Sequence, residues 1–361
     1  MAKRKVLVAP LDWGLGHATR CIPIIKLLLE KNCEVIIGAD KQPLALLKNE
    51  FPQLEYLVLP GYDVTYPSKS FMALQMLSLL PRIRRGIKQE HKLLNALIKE
   101  KNIDVVISDN RYGLYNKTIP SIFITHQLFI QAPIFSSLIK GINFSYINKF
   151  TECWVPDFEG LNNLSGDLSH KQTPPSNTCF IGPLTRMEKN VNTTEQYIDL
   201  LCILSGPEPQ RNIFEKIVLS QLKNTSLKVI VIQGDPQNSE RVKLSKNVEL
   251  ISHVNGDEMN KLILSSKLIL CRSGYSSIMD LAILDKKVIF VPTPGQTEQE
   301  YLAEKFKKEK IAFSINQRQF NLEEAIAESK NYRGFDYSTK FTAGLHNLTN
   351  GLKTRIEMLL R

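Results

Sequence analysis

Hydrophobic residues are grouped along the chain in short, uninterrupted runs, and longer stretches with helical periodicity separate the runs. Uninterrupted apolar runs are typical of parallel strands, because these strands are buried on both faces of their sheet. In the first half of the chain the predicted strands are Val6–Ala9, Val35–Ile37, Tyr56–Leu59, Val105–Ser108, Ile122–Thr125 and Cys153–Val155. In the second half they are Leu201–Ser205, Lys228–Gln233, Val248–Ile251, Leu268–Cys271 and Val288–Val291. Strands that alternate with helices predict the α/β fold class, here with two doubly wound parallel-sheet domains.

Domain boundaries follow from the composition of the connecting stretches. We expect an N-terminal domain at 1–183, a polar linker at 184–199 and a C-terminal domain at 200–340. The pattern at about 341–361 predicts an amphipathic helix, which the pattern alone assigns to neither domain.

Length and charge narrow the class of protein. The 361 residues fit two domains, and the formal net charge of +10 favours an anionic partner such as nucleotide phosphates or a membrane surface. We expect no nucleic-acid partner, because the sequence shows no array of basic and aromatic residues and no recognition motif. The six cysteines are scattered, which predicts reduced thiols in a cytoplasmic protein and no metal site. The N-terminus does not resemble a signal peptide, and no run approaches the ~18 apolar residues of a membrane span.

One segment, 70–88, departs from the regular alternation of strands and helices. Its first part is apolar, and its second part carries Arg82, Arg84, Arg85 and Lys88. An apolar patch beside a basic cluster predicts a peripheral contact with an anionic membrane surface, on the inner face of the cell membrane. The alternative is a crossover helix pair with solvated arginines.

The stretch from Cys271 to Asp280 combines a strand, a turn and a helix. The turn Ser273-Gly274 places a helix N-terminus beside an open strand end, where backbone N–H groups favour a phosphate. Asp280 is placed to accept hydrogen bonds from the two hydroxyls of a ribose. The alternative is an ordinary βαβ unit in which Asp280 is a surface carboxylate.

The first loop contains two glycines and a histidine. Gly14 and Gly16 allow the backbone to approach a ligand, but Thr19 replaces the third glycine of a dinucleotide-binding loop. Asp40 would suit such a loop as the ribose-binding acid. His17 favours a different interpretation, a catalytic base, since imidazole titrates near neutral pH. A structural His17 that caps the turn is the alternative.

Polar residues also follow two later strands of the first half. Asp109 and Arg111 follow the fourth strand, and His126 follows the fifth. Loops after parallel strands meet at one edge of the sheet, so we expect these residues to face the same crevice as His17. Arg111 is a candidate for an anionic acceptor group. Alternatively, Asp109 and Arg111 pair with each other as scaffold.

In the second half, the stretch 205–211 joins a strand to a helix. Two prolines remove backbone donors, so Ser205, Gly206 and Arg211 would have to contact a phosphate. Later, Gln299 and Glu300 are candidates for binding sugar hydroxyls, and a solvated helix N-terminus is the alternative.

Together these motifs resemble the C-terminal donor domain of glycosyltransferase family 28. The resemblance is carried by Cys271-Arg272-Ser273-Gly274 with Asp280, by Phe290-Val291-Pro292 and by Gln299-Glu300-Tyr301. The Gly14-x-Gly16-His17 loop and Thr125-His126-Gln127 are similar to two loops of the family's N-terminal domain. The resemblance implies a GT-B architecture, in which two Rossmann-like domains face a cleft and the C-terminal helix packs back on the first domain. It also implies an inverting transfer from a UDP-sugar without a bound metal.

The resemblance also implies roles for single residues. Asp280 matches the acidic residue that binds the ribose, and Gln299 with Glu300 matches paired glutamines near the donor sugar. His17 matches a histidine near the acceptor, so we expect it to be the base, with Asp109 in reserve. Two loops depart from the family, 205–209 near the donor phosphates and 109–111 on the acceptor side, so we expect an acceptor other than the peptidoglycan intermediate.

The sequence therefore predicts a glycosyltransferase that moves a hexose or N-acetylhexosamine from a UDP-sugar, its co-substrate, to a lipid-linked or envelope glycan. We expect no other cofactor. Two alternatives remain: a UDP-sugar 2-epimerase of the same architecture, and a non-catalytic protein that binds nucleotide-sugars.

Overall fold

The computed structural model describes residues 3–62, 72–130, 136–189, 197–235, 238, 240–336 and 342–360. The chain divides into two compact units. The first unit consists of Met1–Thr185 together with Gly344–Arg361, and the second of Arg186–Ala343. Each unit is built on a twisted sheet of mainly parallel strands with helices between them, so the predicted fold class is confirmed.

The first unit contains a seven-stranded parallel sheet within the described residues, in the order β3-β2-β1-β4-β5-β6-β7. Its strands are β1 Lys5–Pro10, β2 Glu34–Ala39, β3 Glu55–Val58, β4 Val105–Asp109, β5 Ser121–Ile124, β6 Glu152–Val155 and β7 Thr178–Phe180. Its helices are α1 Leu15–Glu30, α2 Lys41–Glu50, α3 Met72–Lys101, α4 Ser136–Ile147 and α5 Asp167–His170. Strand β7 was not predicted, because its three residues are only partly buried and lack an apolar run.

Burial explains why the first sheet forms where the apolar runs lie. Every residue of β4 and β5 is buried, and so are all but the first residue of β1. The Cα of Pro10, at the end of β1, pairs with that of Asp109, at the end of β4. The loops that follow these two strands therefore begin side by side.

The second unit contains a seven-stranded sheet within the described residues, in the order β10-β11-β9-β8-β12-β13-β14. Its strands are β8 Ile198–Ile203, β9 Val229–Ile232, β10 Arg241–Lys243, β11 Val248–Ile251, β12 Ser266–Cys271, β13 Val288–Phe290 and β14 Phe313–Ser314. Its helices are α6 Gln210–Gln221, α7 Gly256–Leu264, α8 Tyr275–Ile283, α9 Thr297–Lys308 and α10 Leu322–Ser329, with a 3-10 turn at Gln317–Gln319.

Three features of this unit differ from the prediction. Strand β8 begins at Ile198, inside the stretch 184–199 that we predicted as linker; residues 190–196 of that stretch lie outside the described part. Strand β10 pairs antiparallel with β11, and all its residues are exposed, so it gives no apolar signal. Strand β14 has only two residues.

The last helix, α11 Thr342–Leu359, packs on the first unit through its C-terminal half. Lys31 Nζ on α1 lies 2.5 Å from Glu357 Oε1, and Arg355 Nη1 lies 3.2 Å from Glu152 Oε1. A Cβ at Gly351 would lie 3.2 Å from the carbonyl oxygen of Ile181, so a larger residue there would force the helix away. Charge pairs and close backbone contact thus join the two ends of the chain in one unit.

The predicted membrane segment falls on α3. This helix is continuous through Pro81, so the alternative of a helix pair is wrong. Arg82, Arg84, Arg85 and Lys88 are exposed. Residues 70 and 71, and the side chains of 72–80, lie outside the described part. In the part of the chain that is described, no helix is long and apolar enough to cross a membrane.

Candidate active site

The histidine of the first loop lies in the first turn of α1. The helix begins at Leu15, directly after Gly14, whose φ of 122° suits glycine. A Cβ at Gly14 would meet nothing within 4 Å, so the space beside the loop is open. Gly16 lies inside the first turn, and its carbonyl accepts a hydrogen bond from Thr19 Oγ1 at 3.1 Å.

Four polar side chains from three segments meet at this edge of the sheet. His17 Nδ1 lies 3.1 Å from Asp109 Oδ1 and 2.8 Å from Arg20 Nη2. Arg20 donates to both carboxylate oxygens of Asp109 through Nε and Nη2. Its Nη1 lies 3.2 Å from His126 Nδ1. The structure therefore brings together His17, Asp109 and His126, as expected from the strand ends, and adds Arg20, which the sequence analysis missed.

Exposure separates these four residues by role. The side chain of His17 is 16% exposed, and that of Asp109 is completely buried. Arg20 and His126 are also buried. His17 is thus the most accessible member of the cluster, with Asp109 behind it.

The charges of the cluster follow from burial and pairing. Burial raises the pKa of Asp109, but the adjacent Arg20 and His17 outweigh it and lower the pKa to about 2. Burial lowers the pKa of His17, and Arg20 lowers it further, while Asp109 opposes both. At neutral pH the cluster therefore holds a carboxylate beside a neutral imidazole. A neutral imidazole next to a carboxylate is able to accept a proton from a hydroxyl group.

Arg111 does not join this cluster, and the prediction that it binds an acceptor is wrong. Its side chain is 1% exposed, and Nε donates to Glu90 Oε1 at 2.6 Å. Its Nη1 and Nη2 donate to the carbonyls of Pro10, Leu59 and Pro60. The scaffold interpretation holds for Arg111, but its partner is Glu90 on α3 and not Asp109.

In the second unit, a buried arginine joins the loops that follow three neighbouring strands. The guanidinium of Arg272 is 1% exposed and lies 4.4 Å from the centre of the Phe214 ring. Burial lowers its pKa to about 10. It donates to oxygens of Ser205, Gln210, Val291, Pro292 and Gln317. Arg272 thus holds in place the strand ends at which we predicted the nucleotide. The sequence signal for Arg272 was its position in the predicted motif Cys271-Arg272-Ser273-Gly274.

Two helix N-termini lie at adjacent strand ends of this unit. Helix α8 begins after Gly274 and helix α6 after Pro209. At α6 the carboxylate of Glu208 accepts a hydrogen bond from the backbone N–H of Asn212 at 3.3 Å. Strands β12 and β8, which lead to them, are paired up to Cys271 and Ile203. The N-terminus of α8 follows a glycine without a side chain and is the better suited of the two to an anion.

Ser273 contributes less than expected to this turn. Its side chain is completely buried, and its Oγ donates to the carbonyl of Gln299 at 2.7 Å. A hydroxyl in this position fixes the loop, so its predicted contact with a phosphate is not supported. Gly274 and the first turn of α8 remain at the turn, and Asp280, partly buried, lies further along α8.

The predicted sugar-binding residues shape their own loop. Gln299 Oε1 accepts from the backbone N–H of Thr293 at 2.8 Å, and its Nε2 donates to Gln296. Glu300 is exposed, and its Oε1 accepts from the N–H of Gly295 at 3.0 Å. These bonds hold the loop before α9 in a defined conformation.

The remaining predicted donor residues lie on the loop after β8. Gly206 has a φ of 111°, and a Cβ there would lie 3.4 Å from Thr293 Oγ1. Ser205 is partly buried. Arg211 forms ion pairs with Glu208 and Glu215, which offset its charge.

Arg186 is a second residue that the sequence analysis missed. Its Nε is buried without a hydrogen-bond partner among the described residues. Its guanidinium lies against Gly256, at the start of α7. Burial lowers the pKa of His253, and the charge of Arg186 lowers it further. No sequence signal separated it from the predicted linker.

Comparison with known proteins agrees with this arrangement. Residues 201–348 match the glycosyltransferase family 28 C-terminal domain. A Methanosarcina acetivorans protein named "Uncharacterized glycosyltransferase" is 21% identical over 328 residues, which cover 82% of this chain and 81% of that protein. The Histophilus somni UDP-N-acetylglucosamine--N-acetylmuramyl-(pentapeptide) pyrophosphoryl-undecaprenol N-acetylglucosamine transferase is 22% identical over 350 residues, which cover 92% and 90%.

The fold is shared with solved glycosyltransferases. The calicheamicin glycosyltransferase CalG4 superimposes with a TM-score of 0.67 at 13% identity over the whole of both chains. MurG of Acinetobacter baumannii superimposes with a TM-score of 0.59 at 13% identity over 99% of each chain. The protein is therefore a glycosyltransferase with the GT-B fold. Within it, residues 201–348 match the C-terminal domain of glycosyltransferase family 28.

Proposed function

We propose that the protein transfers a hexose or N-acetylhexosamine from a UDP-sugar to a hydroxyl group of a lipid-linked or envelope glycan, with inversion and without a bound metal. The observation that carries the proposal is the neutral, partly exposed His17 held against the buried carboxylate of Asp109. A family 28 relative whose name includes a UDP-N-acetylglucosamine donor supports the choice of nucleotide.

In this proposal the second unit binds the donor. The diphosphate lies at the N-terminus of α8, near Ser205, Gly206 and Gly274, and the ribose bonds to Asp280. Without a metal, the negative charge of the leaving UDP has to be stabilised by fixed N–H groups and cations. Arg186 is a candidate cation, because its buried Nε has no partner among the described residues. Gln299 and Glu300 fix the loop that contacts the sugar.

The first unit supplies the base. The acceptor oxygen attacks the anomeric carbon as the bond from that carbon to the β-phosphate oxygen breaks, and UDP leaves with the electron pair. The proton of the acceptor hydroxyl moves to Nε2 of His17, and Asp109 stabilises the imidazolium that forms. A single in-line displacement inverts the anomeric carbon.

The surface near the first loop supports an acceptor with an apolar part. Trp13, Ile83, Tyr112 and Tyr146 are partly buried side chains that pack around one small core cluster of the first unit. Helix α3, which carries Ile83, also carries the exposed residues Arg82, Arg84 and Arg85. Among the described residues, no ion pair neutralises these three arginines. This combination suits a membrane-associated acceptor at the cytoplasmic face.

The proposal is tested first by ligand binding. A thermal-shift screen of nucleotides and nucleotide-sugars should give the largest rise in melting temperature with UDP-sugars, since a ligand that binds only the folded state stabilises it. Asp280→Asn should lose most of this rise, and His17→Ala should keep it. A screen in which UDP-sugars give no rise while other nucleotides do would reject the donor assignment.

Turnover separates the alternative functions. Incubation of UDP-N-acetylglucosamine with the protein and a lipid extract should yield UDP and a labelled lipid. Formation of an epimeric UDP-sugar without acceptor would instead indicate a 2-epimerase. Binding without any turnover over a range of acceptors would indicate a nucleotide-sugar-binding protein.

A further inference from the structure

Arg20 is a buried cation at the centre of the candidate active site, and the proposed reaction assigns it no step. It lies one turn after His17 on α1 and is 3% exposed. It donates to both oxygens of Asp109 and approaches the Nδ1 atoms of His17 and His126. One guanidinium therefore contacts every other member of the cluster.

The chemistry of these contacts limits the protons on the two histidines. A guanidinium has donors and no acceptor, so in the 3.2 Å contact with Arg20 the Nδ1 atom of His126 takes the acceptor role. His17 Nδ1 lies within reach of both Asp109 and Arg20, and when it donates its proton to Asp109 the imidazole is neutral and Nε2 is free to accept a proton. A doubly protonated His17 would place a cation 2.8 Å from the guanidinium.

We propose that Arg20 is a positioning residue that clamps Asp109 and keeps His17 in the neutral form that is able to accept a proton. The inference rests on the proposed role of His17 as base. In the absence of Arg20, the buried carboxylate of Asp109 would draw a proton onto His17 before the acceptor arrives. The base would then be occupied in the resting enzyme.

Each charged or titratable group that faces His17 enters this argument. Asp109 faces it from β4, His126 from the loop after β5 and Arg20 from the same helix. Burial opposes a proton on His17 most strongly and Arg20 opposes it next, while Asp109 favours the proton and His126 has the smallest effect. Loss of Arg20 removes the nearest opposing charge and releases Asp109 from its ion pair, so both effects favour protonation.

The experiment is an NMR titration of the full-length protein with ring-labelled histidine. The chain has six histidines, and His17→Gln assigns the signal of His17. In the wild type His17 should titrate below its usual pKa. Arg20→Gln should raise the midpoint by about one pH unit or more, as expected for loss of a close like charge. Arg20→Lys should raise the midpoint less, because lysine keeps the positive charge and loses the paired N–H donors of the guanidinium.

Lys26→Gln is the matched control, because it removes one positive charge from a half-exposed position on the same helix. It should leave the midpoint of His17 unchanged. An equal midpoint in Arg20→Gln and wild type, with an unchanged circular dichroism spectrum, would overturn the proposal. A wild-type midpoint at or above about 6.5 would overturn it without any variant, should Arg20→Gln not fold.

The titration needs neither donor nor acceptor, so it is independent of the transfer reaction. If His17→Ala kept full turnover, the assignment of His17 as base would fail, and the effect of Arg20 on His17 would still be measurable.

Discussion

At the scale of the residue, the sequence was sufficient to locate side chains that lie at or just after the end of a predicted strand. His17 follows β1 and Asp109 is the last residue of β4, and the geometry of a parallel sheet brings such residues together. Arg20 was missed, because an arginine within an amphipathic helix resembles an ordinary solvated residue. Arg111 was given the wrong role, since its partner Glu90 lies on a helix whose packing no local pattern reveals.

The first prediction concerns turnover by His17→Ala. We expect kcat to fall by about 10² to 10⁴-fold, the usual contribution of a general base, because no other exposed group of the cluster accepts the proton. The affinity for UDP should stay unchanged, since His17 lies on the first unit. Steady-state kinetics and calorimetry measure the two quantities. Equal kcat values for variant and wild type would contradict the assignment.

A second prediction concerns the pH dependence of stability. The pKa of Asp109 is lowered to about 2 in the folded state, below the value of about 3.9 in an unfolded chain. The unfolded state therefore binds the proton first, and the stability from Asp109 is present above pH 4 and lost as the pH falls towards 2. The loss is on the order of 2 kcal/mol.

Unfolding curves between pH 5 and pH 2 should therefore show a smaller acid-induced loss in Asp109→Asn than in wild type. Asn keeps the shape of the side chain and does not titrate. Parallel losses in the two proteins would show that Asp109 does not carry this part of the acid sensitivity.

At the scale of the element, the glycine turns located the helix N-termini of the second unit, and tertiary contacts decided their details. Ser273 bonds to a carbonyl on a distant helix, which the sequence does not reveal. Short edge strands such as β10 and β14 were missed, since two or three residues carry too little periodicity. Strands in the middle of each sheet were predicted, because burial on both faces gives an uninterrupted apolar run.

The third prediction tests how Arg272 organises this edge of the second unit. Arg272→Met should lower the stability by about 3 kcal/mol or more, because several buried oxygens lose their donor. It should also weaken UDP binding, since the loops after β8 and β13 lose their common anchor. Arg318→Met, at an exposed position of the same unit, is the control and should change neither. Thermal unfolding and calorimetry measure both effects.

Unchanged UDP affinity in a folded Arg272→Met would mean that these loops are ordered without it. Arg272→Lys refines the test. It keeps a positive charge and loses the planar set of donors, so we expect an intermediate result.

At the scale of the whole molecule, the repeated alternation of strands and helices was sufficient to predict two α/β domains. The boundary between the two domains was predicted less accurately. Strand β8 begins at Ile198, within the polar stretch that we predicted as linker. The pattern alone did not assign α11 to a domain, since an amphipathic helix shows that it packs and not where. The family resemblance implied the first domain, and the structure places Gly344–Arg361 in the first unit.

The fourth prediction concerns the membrane. The protein should bind vesicles that contain an anionic lipid, and replacement of Arg82, Arg84 and Arg85 by Gln should weaken binding about a hundredfold, given roughly 1 kcal/mol for each basic residue near the surface. The control replaces three exposed lysines of the second unit, Lys223, Lys308 and Lys330. Sedimentation with vesicles measures the difference. Equal losses in both triple variants would indicate an effect of net charge alone.

The return of α11 to the first unit has a consequence for biosynthesis. The second unit is a continuous segment, whereas the first is made of two segments separated by the whole of the second. A ribosome therefore delivers every residue of the second unit before it delivers the part of α11 that contacts α1, on which His17 and Arg20 lie. The half of the molecule that begins synthesis first is completed last. Translation itself thus sets an order in which the second unit is complete while the unit that holds His17 still waits for α11.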